Sequence, residues 1–198
     1  MFRLYTAIGW LLTVLLLAPS GAAETKQARA VRVGDSPVQQ MPLRTSLALA
    51  DTCIVRHDSG MYWRIDGWVI GNELYKSYLD PAQSCPSPYP FAVTEVVMAM
   101  YFAQQTQIVV SVDVESVAEI QPGCPFPGNL VDLSTDYTLD IPQQGYYEIW
   151  VPLDSPYTVN SPFFAGFFIG NTFNSADSPA VITDDYPVEC AAYNVWDD

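Results

Sequence analysis

The chain has 198 residues, 22 acidic against 8 basic, for a net charge of −14, and no lysine or arginine follows Lys76. Residues 77 to 198 hold 16 acidic side chains and nothing to neutralise a phosphate, which excludes a nucleic-acid role and disfavours anionic membrane surfaces. The same charge keeps an aromatic-rich β-protein dispersed, and it is also what gathers divalent cations.

Residues 1–23 read as a signal peptide, with a basic start at Arg3, an apolar run from Ala7 to Ala18 and the small-residue ending PSGAA. That run is short of the roughly 20 residues a membrane-crossing helix needs, and no later stretch approaches it. The chain is therefore expected to be exported, either secreted or held on the cell exterior. Residues 24–45 hold Lys26, Arg29, Arg32 and Arg44 without a sustained period and read as a flexible leader. The folded domain is expected over 46–198, and the chain's 16 prolines argue against long helices.

From there, apolar runs alternate with Pro, Gly, Asn and Asp, the pattern of an all-β domain. Weaker strands are expected at about 48–56, 62–70, 131–140, 180–183 and 190–196. The segment NELYKSYL has apolar spacings a helix would also use, and strand or loop is favoured. TEVVMAMYF (94–102) and QIVVSVDVESV (107–117) are expected to pair as an antiparallel hairpin. In the second strand Ile108, Val110, Val112 and Val114 take the core face, leaving Ser111, Asp113 and Glu115 toward water with Val109. GYYEIWVPL (145–153) places Tyr147, Ile149, Val151 and Leu153 inward and an aromatic pair, Tyr146 and Trp150, outward beside Glu148. SPFFAGFFIG (161–170) is apolar on both faces and suits a central strand covered on both sides. Together these predict a two-sheet antiparallel β-sandwich, jelly-roll-like and disulfide-stapled.

Four cysteines in an exported chain, Cys53, Cys85, Cys124 and Cys190, predict two disulfides with three connectivities open. Their spacing rules out close zinc pairs. Cys85 and Cys124 both sit in proline-rich turns, and joining them would leave Cys53 to Cys190, tying the first strand to the last.

The run YLDPAQSCPSPYPFAVTEVVMAMYF, then GCPFPGNL, then GYYEIWVPLDSPYTVNSPFFAGFFIGN, resembles secreted bacterial β-sandwich domains of uncharacterised function, found in extracellular proteins with C-terminal sorting or immunoglobulin-like modules. The resemblance spans roughly residues 60 to 196 and rests on proline-aromatic turns and strand ends. It implies a fold and assigns no catalytic residue. The chain stops at Asp198 with no sorting module, a departure from that pattern or the mark of a fragment.

Candidate sites follow from residue chemistry. His57, the sole histidine, lacks the nucleophile turn a hydrolase triad needs and reads as a surface turn. Glu95, Glu148 and Asp113 are the carboxylates a glycoside hydrolase would pair, although strand carboxylates usually point to water. Asp177, Asp184 and Asp185 offer oxygens to a structural calcium, with Asp197 and Asp198 at the end, and the competing reading is turn residues bonding their own backbone. No other cofactor is expected. MYWRIDGWVIGNELY gathers Tyr62, Trp63, Arg64, Asp66, Trp68, Asn72 and Glu73, flat rings for stacking on a sugar beside polar groups for its hydroxyls. In that cluster Trp68 is expected to anchor the core and Arg64 to pair with a neighbour. The expected function is a non-catalytic binding or display module for a glycan or an extracellular protein. A structural spacer in a larger protein and a carbohydrate-active hydrolase are the alternatives. Exposed aromatics flanked by carboxylates would favour binding, buried tryptophans the spacer, and a cleft with two facing carboxylates the enzyme.

Overall fold

Period-two alternation of apolar and polar residues leaves each strand one face to bury, and two sheets placed face to face bury both sets at once. The computed structural model describes residues 27–35, 53–56, 62–172, 179–184 and 190–196. Eleven strands are present among them: β1 Arg29–Gly34, β2 Tyr62–Ile65, β3 Gly71–Leu79, β4 Phe91–Phe102, β5 Thr106–Gln121, β6 Cys124–Leu133, β7 Tyr137–Ile141, β8 Gly145–Val159, β9 Phe163–Thr172, β10 Ala180–Asp184 and β11 Ala192–Trp196. A single 3-10 turn, Pro81–Gln83, follows β3. The segment 71–79, with its helix-like spacings, is extended.

The first sheet has the order β1-β8-β4-β10-β2, the second β11-β3-β9-β5-β6, with β7 also on β5. All pairings are antiparallel. Between the sheets lies one core, in which Met100, Phe102, Tyr147, Ile149 and Val151 of the first sheet face Ile108, Val110, Val112, Ala165, Phe167 and Ile169 of the second. The expected central strand is β9, flanked by β3 and β5. The domain is therefore all-β, with two antiparallel sheets and two disulfides.

Several local expectations are corrected. β4 and β5 do not form a hairpin: β4 pairs with β8 and β10, and β5 with β6, β7 and β9. Only residues 103–105 separate them, so the chain arches from one sheet to the other and both strands bury their apolar faces in the same core from opposite sides. Alternation alone cannot distinguish that arch from a hairpin, because both present the same apolar rows. Residues 29–34, inside the stretch read as a leader, form edge strand β1 on β8. The signal segment 1–23 lies outside the described residues.

The cysteines pair as Cys53–Cys85 and Cys124–Cys190, with Cα separations of 6.0 and 5.2 Å. The expected Cys85–Cys124 and Cys53–Cys190 pairs are overturned. Cys124 opens β6, which folds back toward β11. There the Tyr193 hydroxyl donates to the Pro125 carbonyl at 2.7 Å, and the Phe126 and Tyr193 rings meet at 4.9 Å. That docking brings Cys124 to Cys190, while Cys85, just after the 3-10 turn, meets the segment preceding β2.

The faces turned away from the core are also less wet than alternation predicts. On the first sheet Tyr101, Tyr146 and Ala180 form a second small cluster, with Val33, Ala99 and Ile182 packed on it. Tyr146 and Glu148 are buried and Trp150 is half-buried, so the expected exposed aromatic pair is absent. On the second sheet Ser111, Asp113 and Glu115 are buried rather than solvated.

Candidate functional site

The aromatic rim. β2 is an edge strand of the first sheet, bonded to β10 alone among the described residues, and the chain turns from it through Asp66 and Gly67 toward β3 in the second sheet. Gly67 has φ +70°, the left-handed conformation that the turn needs and a side chain disfavours. In the crossing segment Val69 is fully buried in the core, and Trp68 and Ile70 on either side of it turn outward, 49% and 55% exposed. Trp63, on β2 itself, is 60% exposed. Trp68 is thus a surface residue, against the expectation of a core anchor: alternation around Val69 decides which residue plugs the core, and the smaller one does.

Arg64 projects to the other face of β2, where its guanidinium lies 4.3 Å over the Tyr101 ring and binds Asp66 at 3.0 Å. It pairs with a neighbour as expected, which ties the exposed Asp66 carboxylate to the Arg64 face of β2. Burial would lower the Arg64 pKa, but Asp66 and Tyr146 outweigh it and raise it above the usual arginine value.

Glu73 belongs to a different layer. It is buried at the start of β3 and accepts three hydrogen bonds, from the Ile70 amide at 2.9 Å, from the Tyr75 hydroxyl and from Asn194 Nδ2 at 3.2 Å. These bonds clamp the crossing segment onto β3 and β11. Glu73 is a positioning residue for the rim, out of a ligand's reach. Burial, reinforced by the adjacent Glu73 carboxylate, pushes the Tyr75 phenol well above its ordinary value, so it stays a donor. Asn72 is half-buried, its Oδ1 close against Gly170. Tyr62 lies in β2 opposite Asp184 in the register. Of the seven residues gathered by the sequence, Trp63, Asp66 and Trp68 are exposed on β2 and the segment that follows it, with Asp66 bonded to Arg64.

The carboxylates. Glu95 pairs with Arg29 at 2.7 Å, and the same guanidinium lies 4.7 Å from the Trp150 ring centre. Glu148 accepts from Trp150 Nε1 at 3.2 Å. Glu148 lies opposite Ala99 and Glu95 four residues further along β4, so their Cα atoms stand about 13 Å apart along the strand. Asp113 is on the other sheet. Asp113 therefore does not converge with the other two, which are engaged by Arg29 and by Trp150 Nε1.

A site missed from sequence is the buried group on the outer face of the second sheet. Lys76 Nζ binds Glu115 Oε1, and Asp113 lies against Gly166, where a methyl group would sit 2.6 Å from the Asp113 carboxyl carbon. Only glycine leaves that space. Asp113 Oδ1 and Glu115 Oε2 are buried without a hydrogen-bond partner. Burial, then the Glu115 charge, push the Asp113 carboxyl up to about 6, against the opposing pull of Lys76 and a backbone hydrogen bond from Gly166. The only advance signal was Gly166 within an otherwise bulky strand.

A groove of about 430 Å³ lies near the Cys124–Cys190 bridge, lined by Tyr78, Asp80, Gln83, Glu119 and Pro125 among others. Its Asp80 carboxylate already accepts from the Ala82 amide, the Tyr89 hydroxyl and Gln83 Nε2, and Glu119 accepts from the Gly123 amide. These carboxylates hold turns in shape.

Among the described residues no group of three or more His, Cys, Asp or Glu side chains is placed to hold a metal ion. The suggested calcium ligands Asp177 and Asp185, with Asp197, Asp198 and His57, lie outside the described residues, and Asp184 is described in its backbone only, in β10. Among the described residues no helix is long and apolar enough to cross a membrane.

Two facing antiparallel sheets and two disulfides define an all-β domain, with Trp63 and Trp68 exposed on it. The family model for a domain of unknown function, DUF7451, matches residues 53–198, and the chain belongs to that family. No curated protein matches the chain, and no solved structure does.

Proposed function

We propose that this is a secreted, non-catalytic glycan-binding module of jelly-roll type that uses the β2 rim as its contact surface. The observation that carries the reading is the exposure of Trp63 on β2 and of Trp68 just after it, with the exposed Asp66 between them along the chain. An indole that exposes about half of its surface or more on a folded domain forgoes burial worth about 2 kcal/mol. Such a ring offers a flat apolar platform for the C–H face of a pyranose, and the carboxylate accepts hydroxyl hydrogen bonds at its edge. The strand order supports the jelly-roll part, since β2-β10-β4-β8 and β3-β9-β5-β7 are two four-stranded layers between which the chain passes at nearly every step. The engagement of Asp80, Glu95 and Glu119 in fixed structural bonds favours binding over hydrolysis. A polysaccharide panel run by affinity electrophoresis on the full chain tests the proposal: retardation by at least one polymer supports it. Migration unchanged in every gel would give the spacer reading precedence.

A protein partner is the second reading. It is favoured by Ile120, Leu130 and Leu133 on the β5–β6 hairpin, which are 66%, 54% and 53% exposed.

A further inference from the structure

We infer that the β8 edge of the first sheet is a strand-accepting site, and that a second copy of this chain fills it with its own β1, giving a strand-exchanged dimer. The contact lies at the opposite edge of the first sheet from β2, so it leaves the tryptophans of that strand free.

β1 lies outside the family unit, since it spans Arg29–Gly34 and the family model begins at residue 53. Its seat on β8 nonetheless engages both faces of the strand. Ala28 and Ala30 pack against the main core, and Val33 joins the small cluster around Tyr101 and Tyr146 on the other face. Arg29 binds Glu95 at 2.7 Å and lies 4.7 Å from the Trp150 ring centre. Arg32 Nε donates to the Gln144 carbonyl at 3.3 Å, in space that a methyl group on Gly145 would enter, 2.8 Å from the same nitrogen. Arg32 also pairs with Asp35, which travels with the strand. Without β1, the backbone of β8 from Tyr146 to Trp150 becomes a sheet edge beside the buried Tyr147 and Ile149, a template for another strand.

The contacts with β8 and Glu95 are the same whether strand and seat belong to one chain or to two. Eighteen residues separate Gly34 from Cys53, the first residue fixed by a disulfide, and they extend up to roughly 60 Å. That reach exceeds the width of the five-stranded sheet, about 20 Å, and does not confine β1 to its own β8. Charge is complementary as well: β1 carries Arg29 and Arg32 and no acidic residue, and Arg29 is seated on a carboxylate of the accepting sheet. Exchange in both directions closes about a two-fold axis, which gives a dimer and no fibre. Because the two pairings share their contacts, concentration decides between them. A flexible tether holds β1 near its own seat at an effective concentration on the order of millimolar, and exchange competes at about that level.

The test is refolding of the full chain from urea, disulfides intact, at about 1 µM and at about 1 mM, followed by dilution and sedimentation velocity. The expected result is monomer from the first and, from the second, a dimer that persists on dilution because its strands separate only by unfolding. Ala30→Asp, which places a charge opposite the buried Ile149, should lower the dimer fraction at least about fivefold. Arg29→Glu leaves both apolar clusters intact, so it serves where the first variant does not fold, and should lower the fraction by about the same factor. Monomer at both concentrations, a dimer that dissociates at once on dilution, or a dimer undiminished in the folded variants would overturn the exchange.

Discussion

Asp113 gives the most quantitative test of the packing. Its carboxyl occupies the space left by the missing side chain of Gly166, beside Glu115 and below Lys76, and it is 6% exposed. Replacing it by asparagine keeps its size and its acceptor for the Gly166 backbone while removing the charge. A carboxyl raised from 3.8 to about 6 on folding contributes its full stability below pH 3.8 and loses it as pH rises through 6. At about 1.4 kcal/mol per pH unit, that rise corresponds to roughly 3 kcal/mol. Relative to the wild type, Asp113→Asn should therefore be near neutral at about pH 4 and more stable by up to about 3 kcal/mol at about pH 8. In a domain of this size that is a gain of about 6–12 °C in Tm. Urea unfolding of both proteins across this pH range measures it, because the difference between them cancels the other titrating groups. A constant difference at every pH would show that attraction to Lys76 balances burial, a variant that loses stability as pH rises would show that it outweighs burial, and either would refute the reasoning.

The clamp on the rim should respond to a single atom. Glu73→Gln replaces a charged acceptor of three bonds by an amide that presents a donor to Asn194, and is expected to destabilise by about 2 kcal/mol. It should also speed hydrogen exchange at the Ile70 amide; unchanged protection there would mean that other contacts hold the crossing segment. Peptide mapping of the non-reduced protein should recover Cys53–Cys85 and Cys124–Cys190 peptides, and a Cys85–Cys124 peptide would contradict the docking of β6 on β11. Their closed loops span 32 and 66 residues, so Cys124→Ser with Cys190→Ser should lower stability by roughly 4 kcal/mol in urea unfolding.

The core was legible because period-two alternation survives in long strands: Ile108, Val110, Val112 and Val114 in β5, and Tyr147, Ile149 and Val151 in β8, point inward as their spacing requires. β9 was legible as a central strand because both its faces are apolar. What alternation does not encode is which sheet a strand joins, and so the β4–β5 arch and the disulfide pairing were misread. It also cannot show that a polar face is covered. Asp113 and Glu115 look like solvent-facing residues until Gly166 and Lys76, from two other strands, are brought beside them. Of the residues that composition gathered around β2, Trp63, Asp66 and Trp68 are exposed. The burial of Glu73 and the exposure of Trp68 depended on Val69 taking the core position between them, a choice made by the path from β2 to β3.

The central claim is that the exposed indoles of the rim make the contact. Isothermal titration of the wild type and of a Trp63→Ala, Trp68→Ala variant, with the polysaccharide that retards the wild type, tests it most directly. Base-face stacking on an aromatic ring, the closest measured analogue, is worth about 1–3 kcal/mol per ring. The variant should therefore bind at least tenfold more weakly while melting within about 2 °C of the wild type, because both rings lie at the surface and about half or more of each is already in water. Equal affinity in the two proteins would contradict the account and place the contact elsewhere on the domain.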